Sequence, residues 1–449
     1  MKRLFGTDGI RGLANEYPMT SEMALKIGRA TAHLFRRQGH KTRIIIGRDT
    51  RISGHMLEHA LVSGICSMGA DVLLAGVLPT PGVAFITRDM HLDAGIMISA
   101  SHNPSPDNGI KIFKGDGFKL SDEMELEMEQ LILENNMPTA SNGPHAFGRA
   151  YPFEDACARY VTLLKQVVSK DQTMEGLNIV LDCANGATFQ VAPATFTELG
   201  ATIKTLFAEP DGTNINLKCG SEHPEALCGE VVKRKADAGF AFDGDGDRVT
   251  AVDERGNIVT GDQMLAICAK VMKEQNQLTN NVVVSTVMSN TGLGLTLKEL
   301  GIEHVTTQVG DRYVLQEMLA RGACIGGEDS GHMIFLDHHS TGDGIITAIR
   351  IVIAMKRAGK PLSELAKAMR VFPQRLINVA VRDKPPIESV PEIVAAVEGV
   401  KRVLGDGGRV LVRYSGTQPM CRVMVEGPVP EETERYCKQI ADVVREKLS

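Results

Sequence analysis

The chain has 449 residues, of which 43% are hydrophobic and 23% are charged, values typical of a globular protein. The length predicts about three domains or a few more. The net charge of −6 gives no reason to expect nucleic acid or an anionic membrane as a partner.

The sequence also lacks the marks of a membrane or secreted protein. No apolar run is long enough to span a bilayer, and the start Met1–Gly6 lacks the apolar segment of a signal peptide. The nine cysteines are scattered and include no CxxC pair. They therefore predict reduced thiols in a cytoplasmic protein, without a disulfide framework or a zinc ribbon.

The first motif is a glycine-rich stretch, Phe5–Gly12, which reads FGTDGIRG. Its glycines let a loop backbone approach a ligand closely, and Arg11 could contact a phosphate. Taken by itself, a tight surface turn is the simpler interpretation. Thr20 then caps a predicted helix that ends near Arg37.

A pattern of strand, polar loop, helix, glycine and second strand occurs three times. The first strands are Arg43–Gly47, Asn178–Leu181 and Val282–Val284, and the second strands are Asp71–Leu74, Thr202–Leu206 and Glu303–Thr307. The glycines that end the predicted helices are Gly69, Gly200 and Gly301. Three such units predict three related α/β domains whose loops lie at the carboxyl ends of the strands.

The end of the chain departs from this pattern and predicts a small α+β domain. Its predicted strands are Arg375–Val381, Arg409–Tyr414 and Cys421–Glu426, and its predicted helices are Val390–Val400 and Glu431–Lys447. A polar linker covers Pro138–Pro152, and further boundaries fall near residues 254 and 370. We therefore predict domains over residues 1–150, 151–254, 255–370 and 371–449.

The stretch Ala94–Ile112, AGIMISASHNPSPDNGIKI, carries the first candidate nucleophile. An apolar run ends in Ser99–Pro104, and apolar residues resume at Ile110. This predicts a strand that delivers a serine-rich loop to the end of a sheet, where sites lie in open α/β folds. Ser101 could act there as a nucleophile or carry a phosphoryl group. A simple turn before the proline is the alternative on this stretch alone.

The motif FAFDGDGDR, Phe240–Arg248, predicts a metal site. Glycines alternate with Asp243, Asp245 and Asp247, so the loop can curl until the three carboxylates converge. Their mutual repulsion is resolved by a hard divalent cation such as Mg²⁺. An EF-hand is disfavoured because its glycine position holds Arg248 and the flanking residues predict strands. A solvated acidic turn is the remaining alternative.

Three further motifs contain residue types that could carry chemistry. The HxxEH pattern of His55–His59 resembles a zinc-protease motif, but no third ligand is evident and an ordinary helix face is favoured. The loop Cys324–His332, CIGGEDSGH, suits sugar hydroxyls. The segment Arg413–Pro419, RYSGTQP, together with Arg422 could cradle a dianionic phosphate, with a hairpin turn as the alternative. Combined with the serine and the carboxylates, these loops predict phosphoryl transfer on a phosphosugar.

The motifs SASHNP, DGDGDR, GGEDSGH and RYSGTQP occur in this order and resemble those of the α-D-phosphohexomutases along almost the whole chain. The resemblance is closest to the branch that acts on glucosamine phosphates. The segments that carry this narrower match are Phe5–Gly12, Asp182–Ala187, Asp211–Asn216, Cys219–Ser221 and Thr286–Asn290. The family implies four domains around a central cleft, three of them similar α/β domains.

The resemblance also implies a role for each motif. Ser101 would carry the phosphoryl group, and Mg²⁺ would be bound by that phosphate and by Asp243, Asp245 and Asp247. Glu328 and Ser330 would read the sugar. The residues implied to hold the non-reacting phosphate are Arg413, Ser415, Gly416, Thr417 and Arg422. The candidates for proton transfer and charge stabilisation are Lys111, Arg11 and His332.

The implied reaction interconverts glucosamine 6-phosphate and glucosamine 1-phosphate through a phosphoserine enzyme. Glucosamine 1,6-bisphosphate would be the intermediate and activator, and the product would feed UDP-N-acetylglucosamine synthesis. A mutase for glucose or mannose phosphates, a phosphatase and a non-catalytic sugar-phosphate sensor stay open as alternatives. A homodimer is kept open as the assembly.

Two residues depart from the family pattern. Gln418 stands where members usually carry Glu, and Asp329 stands where many members of the glucosamine branch carry Gln. Because of these two departures, the preference among hexose phosphates stays open. His102 is not assigned as a base for Ser101, because neighbours on an extended segment point to opposite sides.

Overall fold

The computed structural model describes residues 4–6, 8–134, 147–169, 172–415 and 419–448. They form two compact units. The first unit comprises Met1–Met288 with Glu303–Lys367, and the second comprises Ser289–Ile302 with Ala368–Ser449. Among the described residues, the first unit contains three β-sheets and the second contains one.

The first sheet has the strand order β1-β5-β4-β2-β3-β6. Its strands are β1 Ile10–Leu13, β2 Arg43–Arg48, β3 Asp71–Val77, β4 Ala94–Ile98, β5 Asp107–Lys114 and β6 Ala150–Pro152. The accompanying helices are α1 Ser21–Leu34, α2 Ser53–Ser67, α3 Thr80–Asp89 and α4 Asp122–Leu133. Strand β4 is buried along its whole length, which explains its continuous apolar sequence.

The second sheet has the order β11-β10-β9-β7-β8. Its strands are β7 Asn178–Asp182, β8 Thr202–Leu206, β9 Ala238–Phe242, β10 Val249–Asp253 and β11 Ile258–Val259. Its helices are α5 Ala156–Gln166, α6 Val191–Glu198 and α7 Glu225–Arg234.

The third sheet has the order β13-β12-β14-β15. Its strands are β12 Val282–Thr286, β13 Glu303–Thr307, β14 Ile325–Gly327 and β15 Met333–Phe335. The helices of this part of the chain are α8 Gly261–Glu274, α9 Thr291–Glu299, α10 Asp311–Arg321, α11 Gly344–Ala358 and α12 Leu362–Ala366. Of these, α9 belongs to the second compact unit.

The three sheets of the first unit repeat one topology. In each, a central strand is flanked by two parallel strands, and an antiparallel strand follows the third strand in a hairpin. The predicted C-terminal glycines of the helices all have positive φ, +89° at Gly69, +97° at Gly200 and +63° at Gly301. The prediction of three similar α/β domains is confirmed, although the sequence pattern covered only the first two strands of each repeat.

Local boundaries differ from the prediction in several places. The Phe5–Gly12 stretch is not a loop throughout, because Ile10 is fully buried and begins β1, which pairs with β5. Strand β6 pairs with β3 and crosses the predicted domain boundary at residue 150. Strand β11 pairs with β10 and lies beyond the boundary predicted at residue 254. The four domain ranges stay predictions.

The second unit contains the predicted α+β domain. Its strands are β16 Gln374–Ala380, β17 Arg409–Tyr414 and β18 Met420–Glu426, and its longer helices are α13 Pro391–Leu404 and α14 Pro430–Leu448. The antiparallel sheet has the order β16-β18-β17. The fully buried Glu426 accepts hydrogen bonds from the backbone N–H of Thr291 and from the side chain of Gln374, so it ties α9 to this sheet.

The described helices were also compared with the requirements of a membrane span. None of them has both the length and the apolar composition needed to cross a bilayer.

A buried carboxyl group in the first unit predicts a pH-dependent stability. Asp343 Oδ1 accepts hydrogen bonds from the backbone N–H groups of Ile345 and Ile346, both at 2.9 Å, and so caps α11. Asp343 Oδ2 accepts a hydrogen bond of 2.6 Å from Tyr160. Burial raises the pKa of Asp343 to about 6, against the lowering effect of these donors.

We expect Asp343→Asn to flatten part of the pH dependence of stability. The pKa of Asp343 is higher in the folded chain than in the unfolded chain. Between about pH 4 and 6 the folded chain therefore keeps a proton that the unfolded chain has lost, and the free energy of unfolding falls as the pH rises through this window. Relative to the variant, the wild type should lose on the order of 2–3 kcal/mol between pH 4.5 and 7.5. Urea unfolding across this range measures the difference. If the free energy of unfolding changed with pH in the same way in both proteins, the raised pKa of Asp343 would be contradicted.

Candidate active site

The chemistry-bearing loops occupy equivalent places in the three repeats. In each repeat they join the third strand to the antiparallel fourth strand. The serine loop, residues 99–106, joins β4 to β5, and the carboxylate loop, residues 243–248, joins β9 to β10. The loop that carries Glu328 and Ser330 joins β14 to β15. The structure brings all three loops together within the first unit.

Ser101 lies at the centre of this assembly. Its backbone adopts the left-handed conformation, with φ of +54°, and its side chain is buried. Ser101 Oγ donates a hydrogen bond of 2.5 Å to Asp243 Oδ2. A Cβ atom at Gly244 would lie 2.5 Å from the Ser101 carbonyl oxygen, so glycine is required for the two loops to approach this closely.

Asp243, Asp245 and Asp247 form the predicted carboxylate cluster. One oxygen from each carboxylate lies within 4.8 Å of the other two, and all three residues are buried. Burial raises the pKa of Asp243 well above its usual range, and repulsion by the other two carboxylates adds to this effect. Asp245 Oδ1 and Asp247 Oδ1 are buried without a hydrogen-bond partner among the described residues. The residues therefore fit a hard divalent cation, which prefers such oxygen ligands.

Lys111 supplies the counter-charge beside this cluster. Its Nζ lies 2.8 Å from Asp245 Oδ2, 3.2 Å from Asp247 Oδ2 and 3.1 Å from Asp8 Oδ2. Burial alone would lower the pKa of Lys111, but the three carboxylates raise it well above its usual range. Lys111 is therefore placed to offset the negative charge of this arrangement.

A cavity of about 740 Å³ opens beside the carboxylate cluster. Its volume is in the range of small-ligand sites. Five of the predicted residues line it: Arg11, Asp247, Glu328, Ser330 and His332. Arg11 is ion-paired with Asp8 and donates to the carbonyl of Ala100 at 3.4 Å, so it also contacts the serine loop.

His332 lies between two carboxylates at the wall of the cavity. Its Nδ1 is 3.7 Å from Asp247 Oδ1, and its Nε2 is 3.8 Å from Asp311 Oδ2. Burial would lower the pKa of His332, but Asp247 and the other carboxylates raise it above its ordinary value. The ring is therefore placed to hold a proton at the edge of the cavity.

His102 lies close to Ser101, contrary to the expectation for an extended segment. The left-handed turn at Ser101 brings His102 Nδ1 to 3.4 Å from Ser101 Oγ. His102 also lines the cavity. Burial lowers the pKa of His102, which favours the neutral ring that can accept a proton.

The two disfavoured metal motifs stay excluded for physical reasons. Glu58 of the HxxEH pattern is buried and pairs with Arg48 at 3.4 Å, while His55 and His59 are exposed. The carboxylate loop is flanked by β9 and β10, whereas an EF-hand loop is flanked by helices. Within the described ranges, the aspartate cluster is the one group with metal-ligand geometry.

Comparison with known proteins places this geometry in a family. Models of the phosphoglucomutase/phosphomannomutase family match the chain throughout: α/β/α domain I at residues 2–138, domain II at 158–256, domain III at 260–372 and the C-terminal domain at 376–443. The chain belongs to this family. The predicted resemblance to the α-D-phosphohexomutases is therefore confirmed, and the chain is an enzyme of the isomerase class.

Individual relatives agree with the family assignment. A phosphoglucosamine mutase of Syntrophus aciditrophicus is 63% identical over 448 residues, which is 100% of both chains. One of Syntrophobacter fumaroxidans is 56% identical and covers 99% of both chains. The solved structure of a phosphoglucomutase/phosphomannomutase family protein from Burkholderia thailandensis has a TM-score of 0.82, with 24% identity, over 99% of this chain and 98% of that one. The last comparison shows a common fold.

The predicted phosphate-binding residues lie in the second unit. Arg413 and Arg422 are direct cross-strand partners on β17 and β18, so their side chains share one face of the sheet. Arg422 Nε is buried and has no hydrogen-bond partner in the described part of the chain. Ser415 is buried, and its carbonyl accepts a hydrogen bond of 2.7 Å from Lys384. Gly416, Thr417 and the departing residue Gln418 lie outside the described residues.

Sequence reasoning missed two side chains that hold the serine loop. Arg51 is fully buried and donates to the carbonyls of Ser101 and Asn103 at 3.0 and 2.8 Å. Asn216 Nδ2 donates to the same two carbonyls, both at 2.9 Å. Their partners are 50 or more positions away along the chain, so no local pattern indicates these contacts.

A second missed feature recurs at the end of the first strand of each repeat. The side chains of Asp49, Asp182 and Thr286 each accept a hydrogen bond from the backbone N–H two residues later, at 2.9, 2.8 and 3.2 Å. Asp182 also accepts from the N–H of Gly220 at 2.9 Å. These side chains fix the loops that follow the central strands.

We expect Arg51→Met to destabilise the fold strongly. The change removes the guanidinium that pairs with buried Asp49 at 2.9 Å and that donates to the carbonyls of Pro104 and Asp107. Removing one partner of a buried ion pair costs about 3–5 kcal/mol. Urea unfolding measures the loss. Arg234→Met is the matched control, since Arg234 forms an exposed pair with Glu230 and should cost less than about 1 kcal/mol. Equal effects of the two substitutions would contradict the role of Arg51.

Proposed function

We propose that the chain interconverts glucosamine 6-phosphate and glucosamine 1-phosphate through a phosphorylated Ser101. One observation carries the proposal: the buried Ser101 Oγ lies 2.5 Å from Asp243 in a cluster of three carboxylates, beside a cavity of about 740 Å³. A binding protein has no need of a buried hydroxyl at such a cluster. The curated relatives are phosphoglucosamine mutases, which supports glucosamine as the sugar.

The proposed reaction has two halves that balance each other. In the first, the sugar O1 forms a bond to the phosphorus of phosphoserine and the bond from phosphorus to Ser101 Oγ breaks. The proton of the O1 hydroxyl passes to a base, and Ser101 Oγ takes up a proton. This half yields glucosamine 1,6-bisphosphate. In the second, Ser101 Oγ gives up its proton to a base and forms a bond to the 6-phosphorus, the bond to O6 breaks, and O6 takes up a proton. The product is glucosamine 1-phosphate and the phosphoserine is restored.

The residues around Ser101 suit a reaction that moves negative charge. Lys111 and Arg11 are cations held by the carboxylate network and would stabilise charge on the transferring group. His332 is placed to hold or release a proton at the cavity edge, and His102 is close enough to Ser101 to do the same for Oγ. Phosphate-monoester cleavage is so slow without catalysis that the site must supply about 20 kcal/mol or more.

The metal proposed for the aspartate cluster is Mg²⁺. The oxygens of Asp243, Asp245 and Asp247 would hold it together with the phosphate on Ser101, and when bound it would supply positive charge to the transferring group. Glu328 and Ser330 are proposed to read the sugar hydroxyls. The residues proposed to hold the non-reacting phosphate are Arg413, Ser415, Gly416, Thr417 and Arg422.

The wider setting follows from the same proposal. Glucosamine 1-phosphate would feed UDP-N-acetylglucosamine synthesis, and the enzyme would work in the cytoplasm. Catalytic amounts of the 1,6-bisphosphate would act as activator. A homodimer stays a prediction. A mutase specific for glucose or mannose phosphates is the second candidate, since family models for such enzymes match the whole chain.

We expect Mg²⁺ to stabilise the wild type and to be required for turnover. A ligand at about 100 times its Kd stabilises a protein by about 2.7 kcal/mol. Thermal unfolding with MgCl₂ and with EDTA measures this shift. Asp245→Asn should lose most of it, whereas Asp442→Asn, an exposed carboxylate in the second unit, should keep it. An unchanged shift in Asp245→Asn would contradict the metal site.

We expect Ser101→Ala to lower turnover by about 10³-fold or more, because the acceptor of the phosphoryl group is gone. The assay follows glucosamine 6-phosphate by ³¹P NMR with Mg²⁺ and a trace of the 1,6-bisphosphate. The wild type should produce the 1-phosphate without free phosphate.

Other outcomes of this assay identify the alternatives. Free phosphate in proportion to turnover would indicate a phosphatase. If the enzyme converted glucose or mannose phosphates but not glucosamine 6-phosphate, the mutase mechanism would stand and the proposed substrate would be wrong. Wild-type turnover in Ser101→Ala would overturn the phosphoserine mechanism.

A further inference from the structure

The carboxylates that line the cavity differ in whether a cation neutralises them. Five carboxylates belong to the lining: Asp8, Asp247, Asp311, Glu328 and Asp329. Lys111 neutralises Asp8 at 3.1 Å and Asp247 at 3.2 Å. Lys119 pairs with Asp311 at 2.5 Å. These three carboxylates are therefore occupied by the buried cations of the site.

Glu328 and Asp329 have no such partner. Neither forms an ion pair with a Lys, Arg or His side chain within the described part of the chain. The positive charge of Arg248 nevertheless acts on Glu328, and Glu328 Oε1 already accepts a hydrogen bond of 3.1 Å from the N–H of Gly310. Of these two carboxylates, Asp329 is the more exposed and the more accessible from the cavity, since its side chain is exposed whereas that of Glu328 is half-buried.

The position of Asp329 is set by the start of α8. Its Oδ1 accepts a hydrogen bond of 3.2 Å from the N–H of Asp262, and its carbonyl accepts one of 3.2 Å from the N–H of Gly261. A Cβ atom at Gly261 would lie 2.5 Å from the Asp329 carbonyl oxygen, so the loop sits tightly on the helix end. One oxygen of the carboxylate is thus anchored, while the side chain as a whole is exposed to the cavity.

We propose that Asp329 binds the C2 ammonium group of the aminosugar phosphate and so determines the preference for glucosamine over glucose. The proposal rests on the proposed function and concerns the same site. Glucosamine and glucose phosphates differ only at C2, where the first carries an ammonium and the second a hydroxyl. A carboxylate distinguishes the two because only the ammonium adds a charge-assisted hydrogen bond.

The identity of residue 329 matters for this selection. Glutamine, which many members of the glucosamine branch carry there, could accept a hydrogen bond from either substituent but adds no charge. Aspartate at residue 329 adds a negative charge, and no cationic side chain among the described residues forms an ion pair with it. The preference should therefore depend on the charge at residue 329 and not on the hydrogen-bond acceptor alone.

The test compares kcat/KM for glucosamine 6-phosphate and glucose 6-phosphate in the full-length wild type and in Asp329→Asn. Asparagine keeps an oxygen that can accept from the N–H of Asp262, so the start of α8 is retained. We expect kcat/KM for glucosamine 6-phosphate to fall about tenfold more than kcat/KM for glucose 6-phosphate, a difference of about 1.4 kcal/mol. Asp442→Asn controls for the change in net charge and should leave the ratio unaltered.

The pH dependence adds a readout that a merely structural role would not change. The wild-type preference should shrink between pH 7 and 9 as the amine of the substrate loses its proton, and the preference of Asp329→Asn should stay flat. An unaltered ratio in Asp329→Asn overturns the role of Asp329. A wild type that converts glucose 6-phosphate but not glucosamine 6-phosphate overturns the proposed function instead, so the two failures are distinguishable.

Discussion

The site depends on the ion cluster formed by Lys111 with Asp8, Asp245 and Asp247. These groups are largely withdrawn from water, and the cost of burying them is offset only because each ammonium proton faces a carboxylate. The partners come from the glycine-rich segment near the start of the chain, from β5 and from the carboxylate loop. The cluster therefore joins two of the three repeats, and Ser101 lies within hydrogen-bond distance of it through Asp243.

The repeated topology explains why one edge of the first unit collects the chemistry. Each repeat places a hairpin after its third strand, and the three hairpins differ in what they carry: a serine, three carboxylates, or a glutamate with a serine. Side chains at the ends of the central strands, such as Asp49 and Asp182, then fix the supporting loops. The repeated sheet topology thus supplies three equivalent loops whose residues differ from one repeat to the next. This is the usual arrangement in which functional residues lie on loops positioned by a rigid scaffold.

Local patterns predicted the elements with strong periodicity and strong turn signals. The central strands, the helix-ending glycines and the DGDGD loop were all recognisable because each depends on neighbours only a few residues away. The turn at Ser101 was not, since its left-handed backbone is imposed by Arg51 and Asn216. That turn is also why His102 lies beside Ser101, against the expectation for an extended segment.

The sequence by itself determined the fold class and the three repeats and indicated candidate residues for phosphoryl transfer, because motif spacing and periodicity are properties of the chain. It did not determine which carboxylates are neutralised. That was decided by tertiary structure, since Lys111 meets Asp8 and Asp247 only after residues more than 100 positions apart are brought together. The same packing leaves Asp329 without an ion-pair partner among the described residues, because Lys111 and Lys119 are held by other carboxylates.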